Sequence, residues 1–584
     1  MKKCKRFLSF VMAVFICFCA GNAPVYAEYA EEDISEELFE KLVNEEEFNE
    51  ELEDELIEGE ERGTGAIPLT EEQINNLRES SDEVKGVRLN KLGYMRASNG
   101  IAVMANDSVN GNIAEIGDEI VTSESDVAYL SNGTVVLPSF VDNSGSEAYQ
   151  LLNADNSNSE GVSYFPKIGD QGSSGSCTAW SVAYYQMTNN VGLVNNREVR
   201  FENKMTSKNV MSPKWMYNLI NDGKDQGSSI GDAITIAYNL GCATVADAGT
   251  TTSSYKSWNP GADTWKNAIY NKIRKHYIFD LNDESHFENV KTALCDGYVL
   301  SFQTFLKGTV SGKPTNWECS SYDCKYVKTD DGNHAMTIVG YDDNRWIDIN
   351  GNGKEDEGEF GAFKVANSWG TTWMDKGFAW IAYDAVFKES RVADFNPSRR
   401  VAAIDGQEVY LLVPYKYYTP LLLAEVTLKT KRRNQIKIEF ACTSLDAEPM
   451  DDDWQPIYKE VIERSALPFN YSDDKGSLSG GFANINFTGA VTQGSGTFTF
   501  DLTPMMEYAY NKNYIDDDDL VTVHIKVSDY LEDSYSTELD KVKILDGGLG
   551  NISIQILSIA KVVNGGEEIF TQSYFLDQTE IVKL

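Results

Sequence analysis

Two patterns of apolar and polar positions divide the chain near residue 400. Before it, apolar residues recur at helical spacing or in short runs, as in "GDAITIAYNLG", a predicted helix that Gly241 ends. After it, apolar and polar residues alternate, which predicts strands in "AEVTLKT", "NQIKIEFAC", "GTFTFDLT", "LVTVHIKVSD" and "NISIQILSIAKVV". We therefore expect a mixed α+β domain at 136–395 and an all-β sandwich at 400–584.

The first residues have the pattern of an export signal. Lys2, Lys3, Lys5 and Arg6 precede the apolar run "FLSFVMAVFICFCAG", and "VYA" permits cleavage after Ala27. Residues 1–27 are therefore predicted to be a signal peptide, and the mature protein is expected to be secreted and extracellular. No later stretch approaches about 18 uninterrupted apolar residues, so no membrane span is expected.

An acidic segment at 28–135 follows the signal. Residues 28–62 hold eighteen acidic residues against two basic ones, and the pattern then loosens into short strands and turns such as "NDSVNGN". The formal charge of −39 argues against nucleic acid or an anionic membrane as a partner. Because much of that charge lies in this segment, the net charge of the chain says little about its substrate.

Cysteine is sparse in the mature chain. Three of the nine cysteines fall in the signal, and the remaining six are too few for a disulfide scaffold. Cys319 and Cys324, in "CSSYDC", either bridge or remain free thiols.

Cys177 stands among small residues in "GDQGSSGSCTAWS", directly before a predicted helix. Trp180, Ala183, Tyr184 and Met187 fall on one face of that helix, and "TNN" is predicted to end it. Unpaired N–H groups and the dipole at a helix N-terminus favour an anion, so a thiolate there has a lowered pKa. A buried structural cysteine is the alternative interpretation.

A nucleophile needs a base, and the chain has four histidines. His276 and His286 lie in charged surroundings and His524 in a predicted C-terminal strand, so we interpret these three as surface or packing residues. His334, in "GNHAMTIVGYDDN", begins a strand instead.

An orienting group follows His334 in "FKVANSWGTTW". Asn367 ends a predicted strand there, and Trp369 can shield an Asn–His hydrogen bond from water. A thiolate, an imidazole and an orienting amide are the parts that nucleophilic catalysis requires.

These motifs resemble those of the papain-like cysteine peptidases. "DQGSSGSC", "MSP", "NHAMTIVGY" and "NSWGTTWMDKG" match in order across residues 137–392. The resemblance implies a papain-like fold with a helical half and a β half, and protein or peptide substrates. It assigns Cys177 as nucleophile, His334 as base, Asn367 as orienter and Gln171 to the oxyanion hole. It also implies a latent precursor with residues 28–135 as pro-segment, a plain acidic spacer being the alternative.

Some positions depart from the family pattern. Ser174 stands where the family usually has a disulfide cysteine, so that bridge is expected to be absent. Thr178 replaces an aromatic residue, and Asn333 precedes the histidine where Asp is common. A non-catalytic binding or adhesion protein on the same fold is the competing class, and a transferase with the same acyl-enzyme stays open.

The segment between His334 and Asn367 contains "DINGNGKEDEGE", which fits the calcium-loop pattern D-x-[DN]-x-[DN]-G-x₅-E at each specified position. Hard oxygen ligands at these intervals suit Ca²⁺, whose role here would be structural because no ligand lies at the chemistry. An acidic surface turn is the alternative. The predicted ligands are Asp348, Asn350, Asn352, Lys354 through its carbonyl, Asp356 and Glu359.

The C-terminal region carries a weaker signal. Trp454, Tyr471 and Tyr508 are compatible with a carbohydrate or protein ligand, but aromatic residues in a sandwich more often belong to the core.

Overall fold

A computed structural model describes fourteen stretches of the 584-residue chain. The signal, most of the predicted pro-segment, and Trp454, Tyr471 and Tyr508 lie outside the described residues. The described stretches are 62–80, 153–157, 162–201, 204–221, 224–256, 261–308, 314–420, 422–430, 436–444, 494–504, 520–529, 537–546, 553–563 and 566–575.

Helices form most of the described structure up to residue 270. Ser212 and Ser229 cap two of them, accepting hydrogen bonds from Trp215 N (3.0 Å) and Asp232 N (3.1 Å). None of the described helices is both long and apolar enough to cross a membrane. The helices are α1 (Glu71–Ser80), α2 (Cys177–Ala179), α3 (Thr188–Asn195), α4 (Pro213–Ile220), α5 (Ile230–Asn239), α6 (Val245–Ala248), α7 (Ala262–Ile269), α8 (Glu284–Cys295) and α9 (Tyr383–Val386). A π-helical stretch at Trp180–Met187 joins α2 to α3, and short 3₁₀ turns lie at Ser207–Asn209, Thr252–Ser254 and Asp405–Gln407.

The helix that begins at Cys177 is longer than the sequence predicts. We expected "TNN" at 188–190 to end it, which is wrong, because α3 continues to Asn195. The amides of Asn189 and Asn190 donate to the carbonyls of Gly297 (2.8 Å) and Leu412 (2.9 Å). Since buried partners satisfy these polar side chains, they do not need to face water.

A nine-stranded sheet follows the helical part. Its path is β5-β12-β6-β9-β10-β11-β8-β7, and β1 pairs with β9 outside this path. The strands of this sheet are β1 (Asn153–Asp155), β5 (Ile273–Asp280), β6 (Leu300–Phe305), β7 (Trp317–Ser320), β8 (Asp323–Val327), β9 (Asn333–Trp346), β10 (Phe360–Ala366), β11 (Phe378–Ala382) and β12 (Glu408–Pro414). A small three-stranded sheet comprises β2 (Val162–Ser163), β3 (Arg200–Phe201) and β4 (Lys204–Met205).

The register of β9 and β10 determines where the residues of the candidate site meet. These strands run antiparallel, with Tyr341 opposite Phe363 and Thr337 opposite Ala366. The start of β9 and the end of β10 therefore meet at one edge of the sheet. The π-helical stretch after Cys177 packs against that edge, where the Ser181 hydroxyl donates to the carbonyl of Met336 (2.7 Å).

The strands predicted after residue 420 are present and form two antiparallel sheets, β15-β13-β17-β18 and β14-β16-β19. The rings of Phe440 and Phe500 lie 5.2 Å apart and connect the two sheets. The strands are β13 (Leu422–Thr430), β14 (Ile436–Ser444), β15 (Gly494–Asp501), β16 (Leu520–Asp529), β17 (Thr537–Asp546), β18 (Ser553–Val563) and β19 (Gly566–Phe575).

The boundary predicted near residue 400 falls before a strand of the main sheet. β12 pairs with β5 and β6, with Val409 opposite both Phe279 and Phe302. Its burial pattern differs from that of a half-exposed sandwich strand, because all seven residues are buried. The alternating strands therefore begin at β13.

The C-terminal sheets share a core with the helical part. The ring of Trp265, on α7, lies 4.8 Å from that of Trp215 and 4.9 Å from that of Phe498 on β15. A buried ion pair joins Lys272 to Asp501 at 2.7 Å beside this contact. The two regions are thus packed through a common apolar cluster.

Replacing Trp265 should destabilise both regions together. Trp265→Ala leaves a cavity between α7 and β15, and we expect the free energy of unfolding to fall by about 3–5 kcal/mol. Differential scanning calorimetry of the full chain measures the loss. Tyr322→Ala, which removes a 40% exposed ring, is the control and should change stability little. A Trp265→Ala variant as stable as this control would contradict the shared core.

Candidate active site

Cys177 opens α2, as the sequence predicts, and is fully buried. Its side chain packs with Ala335, the residue that follows His334, and with Ala66 from the N-terminal part of the chain. Burial raises the pKa of the thiol to about 11, and backbone hydrogen bonds from Ala335 and Gly65 offset this only in part. The lowered pKa expected at this helix N-terminus is therefore wrong for the site in this state.

His334 and Asn367 are brought together across the edge of the sheet. His334 Nε2 lies 2.7 Å from Asn367 Oδ1, and the Ser368 backbone N–H donates to the same oxygen at 2.7 Å. Because an amide oxygen only accepts, Nε2 must carry the proton. His334 Nδ1 then has a free lone pair, and it has no hydrogen-bond partner among the described residues.

Trp369 covers the Asn–His pair. Its ring lies 4.8 Å from the ring of His334, and both residues are buried. This burial lowers the pKa of His334 to about 4, opposed by the hydrogen bond with Asn367. Both the thiol and the imidazole are therefore neutral in this arrangement.

Gln171 is held by Ser368, a residue that the sequence reasoning missed although it lies in the quoted motif. The Ser368 hydroxyl donates to Gln171 Oε1 (2.6 Å), and Gln171 N donates to the carbonyl of Ser368 (2.9 Å). The Gln171 amide nitrogen therefore faces away from Ser368, toward the carbonyls of Ser174 (2.8 Å) and Gly63 (3.1 Å). Ser368 thus fixes both Gln171, the predicted oxyanion donor, and Asn367, the predicted orienting residue.

Residues 62–67 run across this site. The carbonyl of Gly63 accepts from Gln171 and also from Trp369 Nε1 (3.1 Å). Further along, the Gly65 carbonyl accepts from Ser228 N (2.8 Å), and Ile67 N donates to the Ser228 carbonyl (2.9 Å). The segment therefore engages both the predicted oxyanion donor, Gln171, and the backbone of Ser228.

The glycines in "RGTGA" are required by this close passage. A Cβ atom on Gly63 would overlap the carbonyl oxygen of Ser174, and one on Gly65 would overlap that of Gly175. Only glycine lets the backbone of the segment lie this close to the loop before Cys177. The sequence alone gives no sign of this, because nothing in it indicates which surface the two glycines contact.

The segment is anchored at both ends. Arg62 forms an ion pair with Asp170, next to Gln171. At the other end, α1 places the carbonyl of Leu77 3.0 Å from His276 Nε2. His276 is thus a buried packing histidine that holds α1, whereas the sequence left surface and packing roles equally open.

The predicted calcium loop connects β9 to β10, as expected. The Asp348 carboxylate accepts from Gly351 N (2.8 Å) and Gly353 N (3.1 Å), and Glu359 is 1% exposed. Glu359 Oε1 accepts from Ile349 N (2.8 Å).

The other predicted ligands lie in the same loop. The amides of Asn350 and Asn352 donate to Asp356, which lowers the pKa of that carboxyl. Lys354 N donates to Asn352 Oδ1 (2.7 Å). In the part of the chain that the structure describes, no three His, Cys, Asp or Glu residues are grouped so that they could hold a metal ion.

No family model and no curated protein matches the sequence. Among solved structures, the chain is similar to xylellain, a cysteine protease from Xylella fastidiosa, at 16% identity and a TM-score of 0.32, covering 62% of this chain and all of xylellain. It is also similar to procathepsin L 3 of Tenebrio molitor, at 14% identity and a TM-score of 0.29, covering 46% of this chain and 71% of that one. A Carica candamarcensis cysteine protease is similar at 15% identity and a TM-score of 0.28, covering 46% of this chain and all of that one. Likenesses this weak decide neither fold nor activity.

The buried His334 should make stability depend on pH. Its pKa falls from an ordinary 6.5 to about 4 on folding, so between these values the unfolded chain binds more protons than the folded one. The free energy of unfolding should therefore drop as pH falls through this window, by up to about 3 kcal/mol.

Denaturant titrations of the full chain at neutral pH and at about pH 5 measure this loss. His334→Gln, which cannot titrate, is the matched control and should lose less stability on acidification. Equal losses in wild type and control would show that His334 is not the buried neutral group described.

Proposed function

We propose that this chain is a secreted cysteine peptidase of the papain-like type, made as a zymogen in which residues 62–80 cover the site. The observation that carries the proposal is the 2.7 Å hydrogen bond between His334 Nε2 and Asn367 Oδ1. This hydrogen bond leaves His334 Nδ1 free to act as a base. His334 directly precedes Ala335, which contacts Cys177. Protein or peptide substrates follow from the same assignment.

The geometry supports one sequence of steps. His334 Nδ1 takes the proton of the Cys177 thiol, and the thiolate attacks the peptide carbonyl. The Gln171 amide and the Cys177 backbone N–H stabilise the oxyanion. Collapse of the intermediate expels the amine, which receives the proton from His334, and leaves an acyl-enzyme. Water, deprotonated by His334, then hydrolyses the thioester and regenerates the thiol.

The covering segment has two inhibitory effects in this proposal. The Gly63 carbonyl accepts a hydrogen bond from the Gln171 amide, so a substrate carbonyl cannot receive one of its two oxyanion hydrogen bonds. The segment also helps to bury Cys177 and His334, and burial keeps both groups neutral. Once the segment leaves, water returns and the cost of the thiolate–imidazolium pair falls.

We further propose that the Asp348–Glu359 loop binds a structural Ca²⁺. Its carboxylates are not grouped for a metal in the described conformation, so Asp356 would have to exchange the amides of Asn350 and Asn352 for the ion. Asp348, Asn350, Asn352, the Lys354 carbonyl, Asp356 and Glu359 would supply oxygen ligands. The ion would hold the ends of β9 and β10 together and so stabilise the register that joins His334 to Asn367.

Cys177→Ala should abolish peptide hydrolysis and leave the fold intact, because it removes only the reacting sulfur. A fluorogenic peptide assay on activated full chain, with circular dichroism to verify folding, measures this. Cys242→Ala, at another fully buried cysteine remote from the site, is the control and should keep activity. More than a few per cent of activity left in Cys177→Ala would exclude a cysteine peptidase.

Gly65→Ala should raise the activity of the uncleaved full chain, because the added methyl group pushes the segment off the loop before Cys177. Initial rates measured before any proteolytic processing, with the intact mass determined in parallel, report this. Thr64→Ala, on the adjacent residue, should stay latent. Equal rates in Gly65→Ala, Thr64→Ala and wild type would favour a plain spacer.

Calcium should raise the melting temperature of the full chain, by an amount that corresponds to about 2.7 kcal/mol at a hundredfold excess over Kd. Asp348→Ala combined with Glu359→Ala should abolish this rise, whereas Glu357→Ala, an exposed residue of the loop outside the ligand positions, should retain it. Calorimetry that detects no calcium binding to the full chain would disprove the site.

A further inference from the structure

One oxygen of the Asp225 carboxylate accepts three hydrogen bonds. Tyr217 donates through its hydroxyl (2.5 Å), Gly175 through its backbone N–H (2.8 Å) and Ser174 through its hydroxyl (3.1 Å). In the described part of the chain no basic side chain forms an ion pair with Asp225. The three donors therefore stabilise its negative charge, and hydrogen bonds to an ionised acceptor are among the stronger ones.

Two of the donors belong to the loop that carries the proposed oxyanion hole. Gly175 lies two residues before Cys177, and the carbonyl of Ser174 accepts from the Gln171 amide at 2.8 Å. The position of the Gln171 amide and the position of the Cys177 N–H are thus set by the same short loop. A shift of Ser174 and Gly175 would move both.

Opposite the loop of Ser174 and Gly175, the backbone of Gly227 and Ser228 forms a second wall of the site. Asp225 is followed by Gly227 and Ser228, and Ser228 is the residue whose backbone pairs with Gly65 and Ile67. The two walls are close, since a Cβ on Gly175 would lie 3.0 Å from Gly227 N. Tyr217, buried on α4, ties the carboxylate to the helical core.

We propose that Asp225 is a positioning residue that holds the oxyanion donors in register with the wall formed by Gly227 and Ser228. This inference rests on the proposed function, because it names how the same site is held. Ser174 stands where a disulfide cysteine is usual in the family that the sequence resembles. Here a set of hydrogen bonds joins the loop to the helical core instead, and we call Asp225 with Ser174, Gly175 and Tyr217 the polar clasp. Unlike a disulfide, this clasp does not depend on an oxidising environment.

The test uses the full chain after the activation treatment that gives wild type its highest rate. Ser174→Ala and Tyr217→Phe each remove one donor and keep the carboxylate, so a folded protein is expected for both. Each should lower kcat by about tenfold with little change in KM, since a displaced oxyanion donor acts on the transition state. Asp225→Asn, which keeps one acceptor oxygen, should retain more activity than Asp225→Ala.

A double-mutant cycle distinguishes the clasp from general destabilisation. In an Asp225→Ala background, Ser174→Ala should cause no further loss of kcat, because its partner is already gone. Asp247→Ala, which removes the carboxylate that caps α6, is the control and should lower melting temperature without changing kcat.

Several outcomes would overturn the inference. Unchanged kcat in Ser174→Ala and Tyr217→Phe would do so, as would losses that multiply independently in the Asp225→Ala background. If Asp225→Ala does not fold, the two single-donor variants still decide. A wild-type chain without thiol-dependent hydrolysis would instead refute the proposed function itself.

Discussion

The hydrogen bond between Asn367 and His334 is the constraint on which the site depends. It requires the end of β10 to lie beside the start of β9, so that His334 Nε2 and Asn367 Oδ1 are 2.7 Å apart, and the antiparallel register of these strands provides this. It also fixes the tautomer, because the Ser368 N–H identifies the Asn367 atom as the oxygen. Everything proposed for Cys177 requires that Nδ1 be free.

The same residues connect the site to the rest of the fold. Ser368 orients Gln171, and the Tyr185 hydroxyl donates to the Asn367 carbonyl (2.8 Å) while it accepts from Gly169 N (3.0 Å). The helix that begins at Cys177 therefore contacts both the orienting residue and the loop before Gln171. A change in one element would disturb Cys177, His334 and Gln171 together.

Burial keeps the ionisable groups of this site neutral. Ala66 packs on Cys177, and the pKa values of Cys177 (about 11) and His334 (about 4) are displaced in opposite directions by desolvation. The proposed nucleophile and its base are thus held in place while their ionisation is suppressed. In our proposal, residues 62–80 keep the enzyme latent in two ways. They block the site sterically, and by burying it they keep Cys177 and His334 neutral.

The sequence predicted what depends on local pattern. Cys177 at a helix start, His334 at a strand start and the strands after residue 420 are all found, because apolar periodicity and short motifs specify them. It failed where tertiary contacts decide. Asn189 and Asn190 read as a helix end but find buried carbonyl partners, and β12 reads as part of the C-terminal domain but joins the main sheet. The roles of Gly63, Gly65 and Asp225 depend on contacts far apart in sequence, which a local pattern does not contain.

Trapping of an acyl-enzyme would show whether Cys177 is the nucleophile of a peptidase. The activated full chain would be mixed with a peptide ester, quenched in acid during turnover, and mapped by mass spectrometry. We expect one acyl group, carried by Cys177, with Cys242 and Cys295 unmodified. Hydrolysis without a covalent adduct, or an adduct on another residue, would contradict it.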